Sequence, residues 1–155
     1  MAGDPAHVSF RRHEFDAVLP YMARLDEAHA GWINFEAAIH VEDAPPPASG
    51  LFGTLFTSRG PDVPLVTWAP GELRKGGAVG RATVGILHPS GPGAAKRVDI
   101  PTGWVKLQDH SKKGLVLAVA AGTPHAELLD WVLGAAITLS VIPLTGEWRA
   151  SIYAP

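Results

Sequence analysis

The stretch WINFEAAIHV, residues 32–41, decides the fold class, because its apolar side chains recur at every second position. This alternation is typical of a β-strand with one buried face. The following segment EDAPPPASG, 42–50, cannot continue the strand, since its three consecutive prolines lack the donors of a β-ladder. The side chains expected on the buried face are Ile33, Phe35, Ala37, Ile39 and Val41.

Further apolar segments, bounded by glycine and proline, also have strand character. The connections between them are mostly short, which favours antiparallel neighbours. In WVKLQ we expect Val105 and Leu107 to point inward and Lys106 outward. The predicted strands are LFGTLFTS (51–58), PLVTWAP (64–70), ATVGILHP (82–89), WVKLQ (104–108), GLVLAVAAG (114–122) and EWRASIY (147–153).

Two segments have helical periodicity. Residues 13–29 place Phe15, Val18, Met22 and Leu25 on one side, and Pro20 predicts either a kink or a helix that starts near Leu19. In residues 123–143, Thr123 is expected to cap the N-terminus and Pro143 to stop the helix. The predicted core face of this second helix is Leu128, Val132, Ala135, Ala136 and Leu139.

These elements predict a single α+β domain over residues 1–155. We expect a mainly antiparallel sheet of about six strands with two helices packed on one face, because each helix offers one apolar stripe. A chain of 155 residues is long enough to bury a substantial core, and its 46% hydrophobic and 18% charged residues are typical of a globular protein.

The composition excludes several classes of function. The chain has no cysteine, which excludes disulfides and thiolate metal sites. Its N-terminus has no apolar segment typical of a signal peptide, and its longest apolar run is too short for a membrane span. We therefore predict a cytoplasmic protein that does not associate with a membrane. No complete set of histidine and carboxylate ligands is present, so we expect neither a metal nor a cofactor.

Charge is distributed unevenly along the sequence. Residues 1–70 carry nine acidic and four basic residues, whereas residues 71–113 carry three acidic and eight basic ones. Residues 114–155 carry three acidic and one basic, so the net charge is −2. A basic middle segment in an acidic chain favours an anionic partner. The sequence pI of about 6.4 and the few aromatic residues among the cations argue against a nucleic acid as this partner.

The position of this anion site depends on which loops share an end of the sheet. In a simple antiparallel meander, loop 71–81 and turn 109–113 lie at one end and loop 89–97 at the other. If residues 100–103 form a tight reversal, turn 109–113 instead joins Lys96 and Arg97. The meander predicts that the anion-binding residues are Arg74, Lys75, Arg81, His110, Lys112 and Lys113.

The motif SGPGAAKR, 90–97, contains G-x-G but lacks the third glycine and the following helix of a dinucleotide site. We interpret it as a loop with two exposed cations and expect it to contribute little to anion binding.

We predict a binding domain with a basic rim that associates with itself. Ile137 and Val141 are expected on the outward face of the second helix, which suggests a homodimer. The alternative is a small hydrolase-like enzyme that uses a polar sheet face around Glu36, His40 and Glu42. No G-x-S-x-G motif is present, and the sequence leaves the question of catalysis open.

Overall fold

The computed structural model describes residues 3–44 and 60–155. They contain two α-helices and one seven-stranded sheet, with short 3-10 turns at Val41–Asp43 and Ala94–Lys96. The helices are α1, Leu19–Ala28, and α2, His125–Leu139. The strands are β1 Ala6–Arg11, β2 Trp32–Ile39, β3 Leu65–Ala69, β4 Thr83–Leu87, β5 Val105–His110, β6 Gly114–Ala118 and β7 Leu144–Tyr153.

The sheet has the strand order β1-β7-β2-β3-β4-β6-β5, and every neighbouring pair is antiparallel. This confirms the predicted α+β class, with seven strands rather than about six. The additional strand is β1, which pairs with β7 and places Phe10 in the core. The strand predicted at 51–58 lies outside the described residues.

The core lies between the helices and one face of the sheet. The expected inward residues Ile33 and Phe35 of β2 are fully buried, as are Val66 and Trp68 of β3. All five residues predicted for the core face of α2 are buried as well. Val41 departs from the prediction, because β2 ends at Ile39 and Val41 is 89% exposed in the 3-10 turn that follows.

Helix α1 begins at Leu19, so Pro20 lies in its first turn, where the missing N–H disrupts no helical hydrogen bond. Phe15 and Val18 precede the helix and are nevertheless buried. The prediction of a helix that starts near Leu19, rather than of a kink at Pro20, is thus confirmed.

Helix α2 begins without a side-chain cap. Pro124 occupies the N-cap position, and the Thr123 hydroxyl donates instead to the carbonyl of Ala120, 2.7 Å away. The helix ends at Leu139, before Pro143. Across residues 3–44 and 60–155, neither helix is long and apolar enough to cross a bilayer.

The side-chain orientation predicted for strand β5 is wrong. Val105 and Leu107 were expected inward, but they are 45% and 57% exposed. The strand forms an edge of the sheet, and its register with β6 shifts between Lys106 and Gln108, which removes Leu107 from the regular alternation.

Candidate functional site

The order of the last strands determines which loops lie together. Strands β4 and β5 both pair antiparallel with β6, so they run in the same direction. The loop after β4 and the turn after β5 therefore lie at the same end of the sheet. Residues 101–104 form a tight turn, in which Trp104 N–H donates to the Pro101 carbonyl, 3.1 Å away. The meander assumption does not hold, and the alternative based on a reversal at 100–103 describes the structure.

The six predicted anion-binding residues consequently fall into two groups. Arg74, Lys75 and Arg81 lie between β3 and β4, at the end where β4 begins. His110, Lys112 and Lys113 lie at the opposite end, where β5 turns into β6. The antiparallel register separates the two groups by the length of the strands. That either group binds an anion stays a prediction.

The second group is joined by Lys96 and Arg97 of the loop after β4. We call Lys96, Arg97, Lys112 and Lys113 the basic end. All four residues are exposed. None of them takes part in an ion pair with a described residue. The guanidinium of Arg97 donates to Ser90 Oγ at 3.0 Å and to the Gly91 carbonyl at 3.3 Å, so its charge is not matched by a carboxylate.

The glycine-containing motif holds an anion of the chain itself. Gly93 adopts a left-handed conformation with φ 78°, and the 3-10 turn that follows presents the N–H groups of Ala94 and Ala95 to the Asp109 carboxylate. The N···O distances are 3.2 Å and 3.1 Å. Because backbone donors of this kind are what a bound phosphate needs, the motif is not a free phosphate cradle. Its role is to fasten the loop to β5.

Three further hydrogen bonds fix the turn between β5 and β6. His110 Nδ1 accepts hydrogen bonds from the backbone N–H groups of Lys112 and Lys113, at 3.1 Å and 3.0 Å. The Ser111 carbonyl accepts from Gly60 N–H at 3.0 Å. His110 is therefore a structural element of the turn, and the cations of the basic end are carried on a backbone that is held in place.

A buried histidine lies behind the same loop. His88 is fully buried, and its Nδ1 accepts from the backbone N–H of Ser90 at 3.2 Å. Its Nε2 has no hydrogen-bond partner among the described residues. Burial lowers the pKa of His88, and the nearby Arg97 lowers it further, while Asp109 acts in the opposite direction. Burial and Arg97 thus favour the neutral form of His88 by lowering its pKa.

The residues of the alternative enzyme site do not share one strand face. Glu36 lies on β2 and forms an ion pair with Arg149 of β7, at 2.8 Å. His40 follows the end of the strand, and Glu42 lies in the 3-10 turn. Across the described ranges, no group of three potential ligands could hold a metal ion.

Of the two apolar side chains predicted on the outward face of α2, Ile137 lies on the helix, whereas Val141 follows it, because α2 ends at Leu139. Ile137 is 41% and Val141 58% exposed. The preceding part of this face is polar, since Arg12 forms an ion pair there with the exposed Asp130 at 3.1 Å. The exposed apolar area is therefore confined to the C-terminal part of α2 and the residues just after it.

One polar cluster was missed by the sequence analysis. Asp26 at the end of α1 and His125 at the start of α2 are hydrogen-bonded to each other beside a pocket that is also lined by His29 and Arg81. Asp26 and His125 are 99 positions apart, and each lies in a helical pattern that explains it locally. Only the packing of α1 against α2 brings them together.

Comparison with known proteins gave no match, either to a protein-family model, to a curated protein or to a solved structure.

Proposed function

We propose that this chain is a binding domain that holds an acidic peptide or protein segment at its basic end. The observation that carries the proposal is the hydrogen bonding of Asp109 to Ala94 and Ala95, which joins two cation-bearing loops at one end of the sheet. The same contact pairs the half-buried Asp109 carboxylate with backbone donors.

The rigidity of the two loops supports binding. The Asp109 and His110 contacts restrain the backbone, so binding of a partner does not require ordering of these loops.

Attraction between exposed charges is screened over about 8 Å at physiological ionic strength. We therefore expect weak binding that falls steeply as salt is added.

The test measures the affinity for fluorescently labelled poly-L-glutamate at low salt by anisotropy. Lys112→Glu with Lys113→Glu should weaken binding about tenfold or more, as expected for reversing two exposed charges worth about 0.5 to 1 kcal/mol each. Lys96→Glu with Arg97→Glu should act similarly. Circular dichroism checks that each variant is folded.

Arg74→Glu with Lys75→Glu is the matched control, because it makes the same charge change at the opposite end of the sheet. We expect it to weaken binding clearly less than either pair at the basic end. If all three double variants weaken binding equally, only net charge matters. If the wild type does not bind, the basic end is a solvated surface without a ligand. If the wild type binds a DNA duplex more tightly than poly-L-glutamate, the partner is a nucleic acid and not an acidic segment.

We also propose that the chain forms a homodimer through Ile137 and Val141. Exposed apolar side chains in the last turn of α2 and just after it favour association with a second copy of the same surface. Light scattering at rising concentration should show the mass of two chains, and Ile137→Glu with Val141→Glu should restore the mass of one. A wild-type mass of one chain at the highest concentration would contradict the dimer.

A further inference from the structure

A pocket of about 350 Å³ lies at the end of the sheet opposite the basic end. It is placed between the end of α1 and the start of α2, and the connections after β3 and β6 close its sides. Much of its wall is apolar, formed by Trp68, Val79, Val119 and Leu128. Its volume is at the lower limit of pockets that bind organic ligands.

The carboxylate in the pocket lining already has a hydrogen-bond partner within the protein. Asp26 is hydrogen-bonded to His125 Nε2. His29 Nδ1 lies 3.3 Å from the Gly71 carbonyl, so this imidazole also contacts the protein.

The positive groups are less completely compensated. Arg81 Nε donates to the Val119 carbonyl at 3.1 Å, and its Nη2 donates to the Gly103 carbonyl. These contacts hold the guanidinium in place, but both acceptors are uncharged. No carboxylate among the described residues forms an ion pair with Arg81.

Two further features belong to the pocket wall. Helix α2 begins there with no side-chain cap for the N–H groups of its first turn, and Glu127 in that turn offsets part of the positive end of its dipole. Trp68, which is fully buried in the wall, has an indole Nε1 without a hydrogen-bond partner among the described residues. A buried donor without an acceptor is unfavourable, and this one belongs to a side chain of the pocket lining.

We propose that this pocket binds a small organic carboxylate. The carboxylate lies beside Arg81 and the first turn of α2, and the carbon chain packs against Val79, Val119 and Leu128. This site is independent of the basic end, because the two lie at opposite ends of the sheet.

Hexanoate is a suitable probe, and hexanamide is its neutral match. Binding is followed in ¹H–¹⁵N spectra through the indole N–H of Trp68, which Trp68→Phe assigns. A ligand of eight non-hydrogen atoms should bind with a Kd on the order of 1 mM. Hexanoate should shift the indole signal in a saturable way, and hexanamide should bind at least about tenfold more weakly if the charge contributes about 1.4 kcal/mol.

Two variants test the location. Arg81→Gln should weaken hexanoate binding about tenfold or more, whereas Arg74→Gln, at the same end but outside the pocket lining, should leave it unchanged. Ala121→Trp fills the exposed mouth of the pocket without changing charge, and it should abolish binding. The proposal is overturned if hexanoate causes no saturable shift, if hexanamide binds equally well, or if folded Arg81→Gln and Ala121→Trp bind like the wild type.

Discussion

Asp109 is the residue whose role the structure changes most. In the sequence it stands beside His110 and resembles an ordinary surface carboxylate, but it accepts hydrogen bonds from the backbone of Ala94 and Ala95. These two backbone N–H groups are therefore not available to an external anion.

Replacing Asp109 with asparagine should therefore destabilise the protein. Hydrogen bonds to a charged acceptor contribute about 1.5 to 3 kcal/mol, so we expect the free energy of unfolding in urea to fall by about 1 to 3 kcal/mol. Asp99→Asn makes the same charge change at an exposed carboxylate and should stay within about 0.5 kcal/mol of the wild type. Equal stabilities of the two variants would contradict the anchoring role of Asp109.

His88 links stability to pH. Its pKa in the folded protein is lowered, mainly by burial, so below about pH 6.5 the unfolded chain binds more protons at this position than the folded chain. The contribution of His88 to stability is complete above that pH. It decreases as the pH falls through about 6.5 toward the folded-state pKa, and then becomes constant.

The free energy of unfolding of the wild type should thus decrease on acidification from about pH 7 to about pH 5 more steeply than that of His88→Gln. Urea titrations at a series of pH values measure the difference. His40→Gln, which changes an exposed histidine, should retain the wild-type slope. Parallel curves for the wild type and His88→Gln would show that His88 is not the group responsible.

Strand β5 shows how an element can depart from its sequence pattern. An edge strand has one neighbour, so the irregular register with β6 leaves Leu107 exposed although its spacing predicts burial. The neighbouring strand β6, whose inward side chains are fully buried, serves as the comparison for the exposed Leu107.

Leu107→Lys should change the free energy of unfolding by no more than about 0.5 kcal/mol, because the side chain is already exposed. Leu117→Ala, in the core on β6, should lower it by about 2 to 5 kcal/mol. Denaturant unfolding of both variants is the measurement. A large loss for Leu107→Lys would mean that β5 is covered in solution, for instance by a second copy of the chain.

At the scale of the whole molecule, the sheet separates two regions of different chemistry. The basic end carries exposed cations on restrained loops, and the opposite end contains the pocket with Arg81, Asp26 and His125. A surface for an extended acidic segment and a pocket for a small carboxylate can therefore be tested independently.

Folding of the whole molecule should not depend on a metal ion. In a small domain without a large core, metal binding can supply much of the folding free energy. Here the packed core between the helices and the sheet supplies it through apolar burial. We expect the Tm of purified protein to be the same with and without EDTA, as measured by calorimetry. A loss of several degrees on adding EDTA would direct attention to His40 and Glu42, which are two positions apart in the sequence.

The sequence by itself determined the elements and the faces that they bury. Alternation in WINFEAAIHV and helical spacing at Met22, Leu25, Leu128 and Val132 reflect local backbone geometry, which needs no knowledge of distant residues. Strand β1 was missed although it alternates, because its burial depends on pairing with β7 at the other end of the chain.

Only the tertiary structure decided which functional groups meet. The pairing of β4 and β5 with the two sides of β6 places Lys96 beside the turn of Lys112, not beside Arg74. Helix packing likewise joins Asp26 to His125 across 99 positions. Strand order and helix packing depend on contacts between residues far apart in sequence, so local periodicity carries no information about them.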